Sequence, residues 1–304
     1  MSLGDVASLS NLVTVVDAAA LFDQLGSVDK LIDRGWQTAG VDDSRTVANL
    51  LCDQLEFANL LLMNKVDLLE EAQLRQVETL LRKINPTADV VRTLYSRLEP
   101  AEVLGKERFS LQRAQEHPEW LAEAREHEHT PETAEYGISS FIFRARRPFH
   151  PERLHSALGS RPRPGALSRL LRLKGIAWLA SQDNLQAEAA LAGTQFNLAP
   201  GPPWWAALAR DTWPEGLHED LVGGALWDEE YGDRGIELVC IGQELDHAAA
   251  EAELKSCLLT DVEMAGGAES WVALPDPFRE AWDLVLMKGA DKEGGATHDH
   301  DHAH

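Results

Sequence analysis

Asn64-Lys65-Val66-Asp67 stands directly after the apolar run Leu60–Met63. Four such residues at the end of a buried strand can read one purine. An ionised carboxylate at position 67 accepts two hydrogen bonds, and guanine offers two neighbouring donors, N1–H and the exocyclic N2 amine. Adenine presents no such pair and would leave the acid unpaired. The aliphatic stem of Lys65 can lie along the base while its ammonium stays hydrated. Asn64 can hold neighbouring loops and reach the N7 edge. A solvated turn closing a strand could have the same letters, so the position carries the reading: in parallel α/β sheets, ligands gather at the carboxyl ends of strands.

A second set of residues could bind metal. His298, His300, His302 and His304 alternate with Asp299 and Asp301 or small residues at the end of the chain, and His127 and His129 lie in the run EAREHEH. Imidazole and carboxylate are ligands for Zn²⁺, Co²⁺ and Ni²⁺. Weak, exchangeable capture and a plain solvated surface are both open for these six histidines. His150, in PFHPERL, suits the start of a helix. Cys52, Cys240 and Cys257 are widely spaced and form no C-x-x-C pair, so they suggest neither a disulfide framework nor a thiolate zinc site; they fit as small core residues. Arg144, Arg146 and Arg147 form a basic turn, suited to ion pairing or to contact with another surface. The tryptophans at 204, 205 and 213 suit packing better than a ligand cage.

The elements around these residues follow from hydrophobic periodicity. Leu12–Val16 (LVTVV) reads as a buried parallel strand ending at Asp17, Leu60–Met63 as a second and Val90–Leu94 as a third. Between them, apolar positions 47, 50, 51, 55 and 58 mark a helix over Asp42–Ala58, with Asp42, Asp43 or Ser44 as its cap. Leu74, Val77, Leu80 and Leu81 mark another over Glu70–Lys83. Strand, helix, strand, loop, helix, strand is an α/β rhythm. Residues 98–135 are rich in Glu, Arg and His and read as a charged connector. Beyond it, strands are expected at Tyr136–Phe143, Gly175–Ala180 and Ile236–Gly242, with helices from Pro151 and over Asp246–Leu258, as in a compact α+β domain. The closing Gly-, acid- and His-rich stretch is expected to be disordered.

The chain has 304 residues, a formal net charge of −22 and 44% hydrophobic residues. That surface repels phosphate backbones, which argues against nucleic acid as a partner. No apolar run approaches the roughly 20 residues that span a bilayer, and the first residues resemble neither a signal nor a transit peptide. A soluble, reducing, cytoplasmic setting is expected, with no membrane partner.

VTVVDAAALFDQL, DDSRTVANLLCDQLEFANLLLMNKVDLL, INPTADVV, YGISSFIFRARRPFHPERL, LKGIAWLAS, ELVCIGQELD, LLTDVEM and WVALPDPF occur in this order over about Leu12–Phe278. Together they resemble the CobW family, which includes cobalamin-pathway proteins and zinc-linked GTPases. The resemblance implies an α/β remnant of a P-loop GTPase domain over 1–97, a His-containing linker over 98–135, an α+β CobW C-terminal domain over 136–284 and a His-rich tail over 285–304. It also implies GTP or GDP as ligand, held at Asn64, Lys65 and Asp67, Zn or Co as delivered metal, Mg²⁺ beside the nucleotide, and a client metalloprotein. The family's G-x-x-x-x-G-K-[ST] loop, Cys-x-Cys-Cys motif and switch segments do not occur in the sequence; the nearest stretch, Leu104-Gly105-Lys106-Glu107, has Pro100 in place of the first Gly and Glu107 in place of the hydroxyl. A chain truncated so that these motifs are missing is the expectation, inactive in GTP hydrolysis on its own, with a shortened gene model, one exon set and a degenerate paralogue all open. The alternative function is a non-enzymatic module that buffers metal or docks a client. A nicotinamide-type Rossmann enzyme is disfavoured, because no Gly-rich turn follows a strand.

Overall fold

The computed structural model describes residues 6–35, 45–110, 136–214, 216–217 and 227–295, with backbone only from 288 onward. Its first sheet has three parallel strands in the order β1-β2-β3: β1 Val13–Asp17, β2 Leu60–Asn64 and β3 Asp89–Arg92. The register sets Val16 beside Met63 and Asp17 beside Asn64, so the carboxyl ends of β1 and β2 are level. Helices α1 (Leu21–Gly26), α2 (Val47–Phe57) and α3 (Glu71–Ile84) supply the connections.

One helix start differs instructively from the sequence reading. α2 begins five residues later than expected, and its cap is Thr46, whose Oγ1 accepts from the Asn49 N–H at 3.2 Å. Asp42, Asp43 and Ser44 lie outside the described residues. α3 is opened by a capping box between Glu70 and Gln73, which satisfies two otherwise orphaned donors. At the far end of α2, buried Asn85 donates from Nδ2 to the carbonyls of Leu55, Glu56 and Ala58 at 2.8, 3.1 and 2.8 Å.

The second sheet has five antiparallel strands in the order β4-β8-β5-β6-β7: β4 Ile138–Ala145, β5 Leu170–Ala177, β6 Leu185–Ala192, β7 Gln195–Pro203 and β8 Ile236–Gln243. The expected strand at 175–180 lies earlier, at Leu170–Ala177. Its first half, LLRLK, carries Arg172 and Lys174 on one face and hides the strand pattern. β6 and β7 were not anticipated, because QAEAALA is rich in Ala, which favours helix in isolation, and QFNLAPGPP is interrupted by Gly and Pro; pairing with β5 overrides the helical preference of β6. Helices α4 (Pro151–Leu154), α5 (His247–Ser256), α6 (Asp261–Ala265), α7 (Gly267–Trp271) and α8 (Arg279–Gly295) follow. α8 runs through position 285, where a disordered tail was expected to begin, anchored by buried Trp282, whose Nε1 donates to Leu198 O.

The two sheets share packing. One face of the second sheet, with Phe143, Leu173, Leu191, Leu238 and Cys240, packs on Phe149, Leu154, Trp178, Leu254 and Trp282. The other face sends Ile138, Ala192 and Ile241 into the same cluster as Cys52, Leu55, Val77 and Leu81 of α2 and α3. Polar contacts stitch this seam. Glu56 at the end of α2 receives Arg172 Nε at 2.7 Å and Lys174 Nζ at 2.6 Å. Arg75 NH1 and Gln76 Nε2 on α3 hold the hydroxyl and carbonyl of Tyr136 at 2.9 and 3.1 Å. Gly193, at φ 55°, passes so close to Leu25 O that a Cβ there would overlap it. The start of the expected linker also belongs to the first unit: the Arg108 N–H donates to Ser10 O and its side chain pairs with Asp89.

Candidate functional site

Asn64 ends β2, and the chain then turns sharply through Lys65, whose φ of 60° is left-handed, into a short 3₁₀ turn over Val66–Leu68. α3 starts three residues later. The motif therefore sits at the carboxyl end of the central strand of the first sheet, the position at which such sheets bind ligands.

Each side chain has a distinct setting. Asn64 Oδ1 accepts from the Ser96 N–H at 2.9 Å and from Thr93 Oγ1 at 3.3 Å, fastening the loop after β3 to the end of β2. Asn64 O accepts from the Ala18 N–H at 3.1 Å, joining the loop after β1 as well. The Lys65 ammonium donates to Asp17 Oδ2 at 2.6 Å, and Asp17 Oδ1 in turn accepts from the Ala19 N–H. Lys65 is thus held across the strand ends while its side chain stays exposed to solvent. Asp67 is exposed and makes no hydrogen bond or ion pair with another described residue. Its two carboxylate oxygens are available to a ligand.

Asp17, Thr93 and Ser96 were not singled out from the sequence. The terminal Asp of LVTVVD was visible, but its pairing with Lys65 depends on the register of β1 against β2. The six candidate metal ligands, His127, His129, His298, His300, His302 and His304, lie outside the described residues. Among the described residues no group of three or more His, Cys, Asp or Glu could hold a metal ion.

The remaining chemistry-bearing residues are structural. All three cysteines are buried, and burial pushes the thiols of Cys52 and Cys257 up to about 12 and about 11 and that of Cys240 higher still. His150 stands at the N-cap position of α4 without a side-chain capping bond, and burial holds its imidazole below the usual range. The basic turn is engaged within the fold: Arg144 pairs with Glu237 and Arg147 with Asp261, while Arg146 donates to Arg234 O. Trp204 is buried, and Trp205, Trp213 and Trp227 meet edge to face.

A parallel sheet with helical crossovers, packed on a five-stranded antiparallel sheet, defines the class: a nucleotide-binding α/β unit with an appended α+β domain. Residues 2–92 match the CobW/HypB/UreG nucleotide-binding domain, and residues 138–258 match the cobalamin synthesis protein cobW C-terminal domain. The chain belongs to the CobW family. It is 38% identical over 282 residues to the zinc-regulated GTPase metalloprotein activator 1 of Dictyostelium discoideum, covering 91% of this chain and 58% of that protein. It is 29% identical over 262 residues to a zinc chaperone of Mycobacterium tuberculosis, covering 85% and 61%. This chain therefore spans about three fifths of the length of these relatives. A solved structure, the Zn(II)-bound YjiA GTPase from E. coli, aligns with 83% of this chain and 62% of its own at 16% identity and a TM-score of 0.33.

Proposed function

We propose that this chain is the guanine-reading and client-facing part of a CobW-type GTP-binding metal chaperone, with zinc favoured over cobalt as cargo because the relatives are named for zinc. One observation carries the reading: Asn64 ties the loops after β1 and β3 to the end of β2 while Asp67, three residues on, keeps both oxygens free. In this arrangement Asp67 accepts from guanine N1–H and N2, Asn64 keeps the surrounding loops in register, and the Asp17–Lys65 pair fixes the lysine stem where a base would lie. No step of GTP hydrolysis is assigned to residues of this chain. The described residues include no set that fits Mg²⁺ or a stable zinc site, so metal capture is assigned to the histidines at 127, 129, 298, 300, 302 and 304. No helix of the described residues is long and apolar enough to cross a membrane. We place the chain in the cytoplasm with a client metalloprotein as its partner.

Titration of the full chain with GDP, with ADP as control, tests the proposal. GDP binding that disappears in Asp67→Ala, with the melting temperature unchanged, is expected. GDP affinity equal in the two chains would refute base reading at Asp67. Zn²⁺ binding that survives Asp67→Ala but is lost on deleting residues 297–304 would assign metal capture to the tail alone.

A further inference from the structure

The turn after β3 is strained, and the strain lies beside Asn64. Leu94–Arg97 closes through the Arg97 N–H donating to Leu94 O at 3.0 Å. Its two central residues, Tyr95 and Ser96, have φ of 52° and 53°. That is the conformation of a type I′ turn, in which Gly, Asn and Asp normally supply the positive angles. A bulky aromatic residue there is an outlier. Packing does not explain it, since Tyr95 is 81% exposed. The Arg97 guanidinium lies 5.9 Å from the ring centroid.

The strain is imposed from β2. Asn64 Oδ1 holds the Ser96 N–H, and the Thr93 N–H donates to Met63 O at 2.8 Å. An unfavourable turn is thus pinned to the guanine motif and spends its strain on presenting an aromatic ring to solvent. Unfavourable backbone kept in this way marks contact sites. The loops at the carboxyl ends of the three strands, residues 18–20, 65–70 and 93–99, contain a single aromatic side chain, that of Tyr95. A purine has two faces to shield from water. The Lys65 stem serves one; for the other, those loops offer the Tyr95 ring and otherwise only aliphatic side chains.

We infer that Tyr95 is a base-positioning residue: its ring stacks on the purine whose edge Asp67 reads, backed on its other side by Arg97. The inference rests on the guanine reading proposed above. Stacking is blind to base identity, because every base has a π face. Tyr95 therefore sets affinity and leaves the choice of guanine over adenine to Asp67.

The two roles separate by experiment on the full chain, with GDP and ADP as probes. Tyr95→Gly removes the ring and suits the positive φ, so it should weaken GDP binding about tenfold, the scale of one lost base–aromatic stack, and melt at or above the wild-type temperature. Tyr95→Phe should bind GDP within about twofold of wild type, stacking being a property of the ring face. A merely structural tyrosine would lower stability and affinity together, and that result overturns the inference. So does a Tyr95→Gly chain that binds GDP as wild type does while Asp67→Ala abolishes binding; base reading would then stand without the stack. A wild-type chain that binds no GDP would remove both.

Discussion

Glu56 is the residue whose loss should be felt most. Its side chain is 10% exposed and that of Arg172 is 8% exposed, so the pair is effectively out of water. Lys174, at 32%, keeps much of its hydration. Glu56→Ala strands the Arg172 guanidinium inside the seam between the sheets. Breaking one partner of a buried pair typically costs about 3–5 kcal/mol. Arg172 keeps one bond, from NH1 to Leu191 O at 3.0 Å, which points to the lower half, about 3–4 kcal/mol. Glu56→Gln retains an acceptor for Arg172 and should cost about half as much. Replacing both partners, Glu56→Leu with Arg172→Met, should recover most of the loss, because the charge and its desolvation cost leave together. Urea unfolding of the full chain reads this directly: at a slope of about 3 kcal/mol/M the midpoint for Glu56→Ala falls by about 1 M. Native-state hydrogen exchange should show the extra opening in α2 first. A shift equivalent to less than about 1 kcal/mol, the range of surface pairs, would refute the burial argument.

Asn85→Ala removes the three donations that close α2 and leaves buried carbonyls unsatisfied; a loss of about 2–4 kcal/mol is expected in the same assay, and a change under about 1 kcal/mol would show that water replaces the side chain. Hydrogen bonds from Arg153, aided by Thr260, hold the Glu263 carboxyl down at about 2, below its ordinary 4.5. A depressed acid stabilises the fold above its unfolded pKa, and that contribution disappears as pH falls from 4.5 towards 2. Glu263→Gln should therefore cost about 1–2 kcal/mol at pH 7, after allowance for solvent screening, and almost nothing near pH 2; a pH-independent difference would contradict this. The three buried thiols, all with raised pKa, should resist iodoacetamide at pH 8 until urea unfolds the chain. A fast-reacting native thiol, seen by mass spectrometry, would show that one of them is accessible.

What could be read from the sequence divides along physical lines. β1, β2, α3 and β8 announce themselves through unbroken apolar runs or a clean 3.6-residue period, and the match between pattern and structure is within a few residues. Asn64-Lys65-Val66-Asp67 could be placed at a strand end because Leu60–Met63 precedes it. Asp17, Thr93 and Ser96 could not, since they join the motif only through the parallel register of three strands distant in sequence. β5 was misplaced because Arg172 and Lys174 are polar residues whose partner, Glu56, lies 116 and 118 positions away. β6 escaped notice for the reason that makes β propensity weak: an Ala-rich strand is made by its neighbours rather than by its own side chains; β7, QFNLAPGPP, is broken up by Gly and Pro. The helix through 285 illustrates the same limit, with one buried tryptophan anchoring a segment whose composition reads as a tail.

The seam that joins the sheets changes what the stretch between residues 110 and 136 is for. Ile138, Ala192 and Ile241 are interleaved with α2 and α3, so adhesion comes from side chains and the peptide connection contributes mainly proximity. A protease cut anywhere in that stretch should yield two pieces that co-elute on gel filtration and separate only in denaturant. Polypeptides 6–110 and 136–295, prepared apart, should each bare a greasy surface and reassemble on mixing. The intervening residues are then released from any duty as a tether.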